Sequence, residues 1–81
     1  MNVNPQVAYF RNGFAIRFVR SNWKVLVWVQ DMTARKMKSD LTGLPAVTFP
    51  TRLEAEAEVR NVVIPYLIKE KDVPPEDIVG W

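Results

Sequence analysis

The fold is decided by residues 7–31, which read VAYFRNGFAIRFVRSNWKVLVWVQD. Valine, isoleucine and aromatic residues alternate there with charged or small ones, the two-residue period of a half-buried β-strand. Asn12-Gly13 and Ser21-Asn22 divide the stretch into three runs, and Asn-Gly is a strong signal for a two-residue hairpin turn. The sequence therefore predicts an antiparallel meander of three strands.

A helical pattern begins after the strands. Thr51 is followed three residues later by Glu54, the spacing of a capping box that marks a helix N-terminus. Pro65 has no backbone N–H and crowds the preceding turn, so we expect a kink there. Apolar side chains at three- and four-residue spacing predict one buried stripe on this helix, made of Ala55, Val59, Val62, Val63 and Tyr66.

Together these signals predict an α+β fold. A three- to four-stranded antiparallel meander sheet is covered on one face by a single C-terminal helix kinked at Pro65. Residues 46–49 are the candidate fourth strand, expected at a sheet edge because prolines flank it. Within residues 32–46, we expect residues 35–38 to form an exposed basic loop or ribbon and residues 41–45 to form a turn. The 81 residues suffice for one small domain, residues 1–81, with 1–6 and 73–81 as candidate tails and the latter packed back onto the body.

The composition argues against several kinds of chemistry. The chain has no cysteine and no histidine, which excludes disulfides, thiolate catalysis and histidine-containing triads. The longest apolar run, residues 62–68, is far too short to span a membrane, and the N-terminus has no signal-peptide pattern. We therefore expect a cytoplasmic, non-enzymatic protein that needs no cofactor and does not enter a membrane.

Charge is divided unevenly along the chain. Residues 1–38 contain seven basic and one acidic side chain, a balance of +6, whereas residues 39–81 contain four basic and eight acidic ones, a balance of −4. A chain with one basic half and one acidic half has an electric dipole, which orients its encounters with charged partners. The alternative is that the two halves neutralise each other within the monomer.

Two-residue turns in both hairpins would fix which side chains share a face, because alternate residues of a strand point the same way. The face predicted to lie against the helix comprises Val7, Tyr9, Phe14, Ile16, Phe18, Trp23, Val25, Val27 and Val29. The predicted outer face comprises Ala8, Phe10, Ala15, Arg17, Val19, Lys24, Leu26, Trp28 and Gln30. An outer face this apolar favours a contact surface, unless residues 32–46 or the C-terminal tail cover it.

Nucleic acid is the first partner that this outer face suggests. Aromatic rings stack on bases while arginine and lysine contact phosphates. The candidate binding residues are Phe10, Arg17, Lys24, Leu26, Trp28, Arg35, Lys36 and Lys38. Residues 48–51 and the glutamate-alanine alternation of residues 54–58 resemble the strand-to-helix junction of the arm-type DNA-binding domains of phage-type tyrosine recombinases. That resemblance lies within residues 23–64, implies DNA binding, and is interrupted by residues 32–46.

A protein partner is the alternative. Aromatic and arginine side chains such as those of the predicted outer face dominate protein interfaces, and two copies of the chain would form a homodimer through the same face. In size the chain resembles small phage-encoded inhibitors such as anti-CRISPR proteins, which block nucleic-acid machinery. An inhibitor of that kind would insert its acidic helix face, Glu54, Glu56 and Glu58, into a basic nucleic-acid channel.

Overall fold

The structure is a computed structural model that describes residues 2–20, 25–38 and 45–81. Four antiparallel strands form a meander in the order β1-β2-β3-β4, and a short fifth strand, β5, pairs with β2. Their bounds are β1 Val3–Phe10, β2 Gly13–Arg20, β3 Val25–Asp31, β4 Ala34–Lys38 and β5 Thr48–Phe49. The helix begins as α1 (Arg52–Glu58), continues as a π-helical segment (Val59–Val63) and ends as α2 (Ile64–Glu70). The predicted α+β class, with one helix over an antiparallel meander, is confirmed.

The first hairpin turns one residue earlier than predicted. Val7 pairs with Ile16, and the two turn residues are Arg11 and Asn12 rather than Asn12 and Gly13. Arg11 has a φ of 56°, the positive value that a type II′ turn requires at its first central residue. The pairing is thus shifted by two residues, an even number, so the side chains of β1 and β2 keep their predicted faces.

The second hairpin departs from the prediction in a way that turns β3 over. Phe18 pairs with Leu26 rather than with Val25, a shift of one residue. Because side chains alternate along a strand, this shift exchanges the two faces of β3. Leu26, Trp28 and Gln30 therefore lie on the helix side, and Val25, Val27 and Val29 lie on the outer side. The predicted faces of β3 are wrong, while the predicted Ser21-Asn22 turn and Trp23 lie outside the described residues.

Residues 45–49 are inserted between β2 and β3 rather than placed at an edge. The Val47 N–H donates to the Trp28 carbonyl at 3.0 Å, and Thr48 pairs with Ala15 of β2. Pro45 is tolerated inside the sheet because it contributes only its carbonyl, which accepts from the Gln30 N–H at 3.0 Å. The predicted edge position of this strand is wrong.

The helix begins as predicted and is irregular before Pro65. The Glu54 N–H donates to the Thr51 hydroxyl at 3.2 Å, which caps the N-terminus. The Ile64 N–H bonds to the Val59 carbonyl, five residues back, so the interruption takes the form of a π-helical turn. The extra residue changes the phase of the helix: the residues buried along it are Ala55, Glu58, Val59, Val63 and Leu67, whereas Val62 is exposed and Tyr66 half-buried.

The chain termini pack together along β1. Ile78 forms a parallel bridge with Val3, and the Val79 N–H donates to the Val3 carbonyl at 2.9 Å. The Trp81 indole donates to the Pro5 carbonyl at 2.7 Å. The segment after α2 thus covers the edge of β1, as its apolar residues suggested. Within the described ranges, no helix is long and apolar enough to cross a membrane.

Candidate binding face of the sheet

The structure separates the predicted binding residues into two groups. Phe10, Arg17, Lys36 and Lys38 lie on the outer face or its rim. Leu26, Trp28 and Arg35 lie on the helix side of the sheet. Lys24 lies outside the described residues.

Trp28 is part of the core, so its predicted place on the outer face is wrong. Its side chain has 0% exposure and makes edge-to-face contacts with Phe18 at 6.1 Å and Tyr66 at 5.1 Å between ring centroids. Leu26 is buried beside it. Neither side chain is accessible to a partner, because the helix covers both.

A polar cluster joins β3 and β4 to the helix at this point. The Glu58 Oε2 atom accepts a hydrogen bond from the Trp28 indole at 3.0 Å and forms an ion pair with Arg35. The Arg35 guanidinium also lies over the Phe49 ring, 5.9 Å from its centroid. Arg35 therefore serves the fold, and Glu58, at 9% exposure, is not part of an accessible acidic face. Of the predicted acidic group, Glu54 is exposed and bonded to Thr51, and Glu56 is half-buried.

The outer face is organised as rows of side chains that cross the strands. One row runs over all four meander strands and consists of Gln6, Arg17, Val27 and Lys38. A second pairs Val29 with Lys36, whose ammonium lies 3.8 Å from the Asp31 carboxylate. Cations therefore lie on this face beside valines, on the side of the sheet away from the glutamates of α1.

A shallow cleft of about 180 Å³ opens at the centre of this face. The cleft exists because Ala8, Ala15 and Ala46 have small side chains, which do not fill the space that larger residues would occupy. Phe10 at one end is 42% exposed and Val25 at the other 49%, so the apolar lining is accessible. The lining comprises Ala8, Tyr9, Phe10, Ala15, Arg17, Val25, Val27 and Ala46.

Arg17 supplies the charge in the cleft. Its side chain is exposed, and one terminal nitrogen donates to the Gln6 Oε1 atom at 3.2 Å. No carboxylate of the described residues forms an ion pair with it. A guanidinium has five N–H donors in a planar fork. Arg17 uses one nitrogen in its hydrogen bond to Gln6 and therefore keeps other donors for an incoming acceptor.

The sequence did not indicate that Val25, Val27 and Ala46 belong to this face. A two-residue second turn predicts both valines on the helix side, whereas the observed pairing of Val19 with Val25 differs from that prediction by one residue. Ala46 begins the candidate fourth strand, which is predicted at a sheet edge, and no local signal places it between β2 and β3.

No group of three or more potential metal-ligating side chains occurs among the residues that the structure describes. The chain was also compared with known proteins. It matches no protein-family model, no curated protein and no solved structure, so the geometry of its own residues carries the functional argument.

Proposed function

We propose that this chain is a non-enzymatic binding module that docks an acidic protein partner on the outer face of its sheet. The observation that carries the proposal is the central cleft, where Arg17 stands among alanine and valine side chains. Such a site offers an apolar contact and a fixed positive charge together.

The size and lining of the cleft favour a protein side chain as its occupant. Its volume of about 180 Å³ is smaller than the roughly 300–1,000 Å³ of sites that enclose small molecules. It is sufficient for one aliphatic or aromatic side chain. Ala8, Ala15 and Val27 provide aliphatic dispersion contacts. The aromatic residues of the lining, Tyr9 and Phe10, are neighbours at the end of β1 and do not form a stacking platform across the strands.

The charges around the cleft favour an acidic partner. Arg17 is held by Gln6 at 3.2 Å, so less side-chain entropy is lost when it pairs with a carboxylate. Lys38 lies in the same row of the sheet. Complementary charge of this kind raises association rates and excludes basic partners.

A selection experiment tests this proposal without knowledge of the natural partner. A random dodecapeptide library displayed on phage is selected on the immobilised chain, and binders are re-screened on the Ala8→Leu variant, in which the added side chain fills the cleft. We expect enriched peptides with an apolar residue beside aspartate or glutamate, and at least a tenfold loss of binding to Ala8→Leu. Enrichment of basic peptides, equal binding to the filled cleft, or no enrichment would overturn the proposal. Circular dichroism of Ala8→Leu establishes that the variant is folded.

Nucleic acid is the second candidate, favoured by the presence of Arg17, Lys36 and Lys38 on one face of the sheet. Fluorescence anisotropy with labelled oligothymidylate and with a DNA duplex of equal length tests it. A plot of the logarithm of the association constant against the logarithm of the salt concentration should have a slope of about −0.7 to −0.9 per phosphate contact. Such a slope would support this candidate. No binding at low salt would remove it.

A further inference from the structure

The edge of β4 with which no described strand pairs is a second feature, separate from the cleft. We infer that this edge docks an acidic extended segment of a partner protein, which adds to the sheet as a further strand. The inference rests on the direction of backbone groups in β4 and on the charges that its side chains carry.

The backbone directions follow from the bonds of β3. Its Trp28 carbonyl and Gln30 N–H bond to the segment that contains Pro45 and Val47. Successive residues of a strand direct their backbone groups to opposite sides. Val27, Val29 and Asp31 therefore direct theirs toward β4.

Each of those three residues has a partner in β4, and the partners direct their own groups back toward β3. The pairs are Val27 with Lys38, Val29 with Lys36 and Asp31 with Ala34. The remaining residues of β4, Arg35 and Met37, thus direct their N–H and C=O groups away from the sheet. No backbone group of the described residues pairs with them.

The two edges of the meander differ in this respect. The edge of β1 is covered where Ile78 and Val79 pair with Val3. At the edge of β4, two residues present four backbone groups with the spacing that strand addition uses.

The side chains of β4 select the kind of strand that is accepted. Arg35, Lys36 and Lys38 are the cations of this five-residue strand, which has no acidic residue. Arg35 pairs with Glu58 and Lys36 lies 3.8 Å from the Asp31 carboxylate, so Lys38 is the cation of β4 without an ion pair among the described residues. Cationic edges repel one another, which disfavours pairing between two copies of this chain. The unpaired Lys38 attracts a strand that carries glutamate or aspartate, so the occupant is acidic.

Titration of a short acidic peptide into the full chain tests the inference. The probe is an acetylated heptapeptide of alternating glutamate and valine, titrated into isotope-labelled protein. We expect the amides of Arg35 and Met37 to shift most and to become protected from exchange with solvent. A peptide in which lysine replaces glutamate is expected not to bind.

N-methylation identifies the binding mode. Two peptides are compared, each methylated on a different set of alternate backbone nitrogens. In one peptide the methyl groups replace the N–H groups that would bond to β4, and in the other they replace those that face away from β4. We expect one methylated peptide to lose at least tenfold in affinity and the other to stay within threefold of the parent. Equal effects of the two patterns, shifts centred on Ala8 and Val27, or no binding at low salt would overturn the inference.

Failure at the edge is distinguishable from failure of the proposed function. Ala8→Leu fills the cleft and is expected to leave heptapeptide binding unchanged. Loss of heptapeptide binding in Ala8→Leu contradicts the inference, whereas the outcome of the phage selection depends on the cleft.

Discussion

The indole Nε1 of Trp28 donates to the Glu58 Oε2 atom at 3.0 Å across the contact between β3 and the helix. Glu58 is the one charged side chain buried in the described part of the chain, and Arg35 of β4 supplies its second partner. A buried charge is tolerated only when it is paired and hydrogen-bonded. The pair thus ties the orientation of β3 to the orientation of the helix, because β3 in the opposite register would direct Trp28 to solvent and leave Glu58 short of a donor.

Truncation of Trp28 is therefore expected to destabilise the domain strongly. Trp28→Ala removes a fully buried ring and the donor to Glu58, and we expect a loss of about 3–5 kcal/mol in the free energy of unfolding. Urea denaturation measures it, with Phe10→Ala as a control on an exposed ring. Equal midpoints for the two variants would contradict the core position of Trp28. The outer-face position predicted from the sequence would have made Trp28 tolerant of truncation.

Removal of the charge of Glu58 is expected to lower the free energy of unfolding far more than the same change elsewhere on α1. Glu58→Gln keeps the shape of the side chain but weakens its bonds to Trp28 and Arg35, which we expect to lower stability by about 1–3 kcal/mol. Glu56→Gln, the matched control outside the cluster, is expected to stay within about 0.5 kcal/mol.

A double-mutant cycle extends this test. The cost of Arg35→Met is expected to be smaller in the Glu58→Gln background than in the native chain, since the two residues share one interaction. Strict additivity of the two substitutions would show that the ion pair contributes nothing to folding.

The sequence predicted the faces of β1 and β2 but not that of β3, and the reason is the parity of the loops. The first hairpin is displaced by two residues, which keeps every side chain on its predicted face. In the second hairpin, five residues separate the paired Val19 and Val25, an odd number where a two-residue turn implies an even one. The valines of β3 alternate with Leu26 and Trp28, so both faces are apolar and the pattern alone could not choose between them.

The candidate site was predictable only in part for the same reason. Arg17 and Phe10 lie on strands whose register has the predicted parity, and both are on the outer face. The cleft itself depends on Ala46, which reaches the sheet through a long-range pairing with Val29 that no local pattern encodes.

The turn between β3 and β4 provides a test of local backbone strain. Met32 has a φ of 55° and is 90% exposed, so its side chain gains little from packing. Met32→Gly relieves the left-handed strain, and we expect a gain of about 0.5–1 kcal/mol in the free energy of unfolding. Thr33→Gly, at the neighbouring turn residue, which is not among those with positive φ, is expected to lower stability. Thermal denaturation compares the two, and a loss of stability in Met32→Gly would contradict the strained turn.

The central claim is that the cleft around Arg17, rather than the general charge of the outer face, binds the partner. The most direct measurement is the Kd of the tightest library-selected peptide for Arg17→Gln and Lys36→Gln, two variants that remove one positive charge each from this face. Lys36 lies outside the cleft lining and pairs with Asp31. We expect Kd to rise at least tenfold for Arg17→Gln, about 1.4 kcal/mol, and to stay within threefold for Lys36→Gln. Equal losses in the two variants, or an unchanged Kd for Arg17→Gln, would contradict the claim.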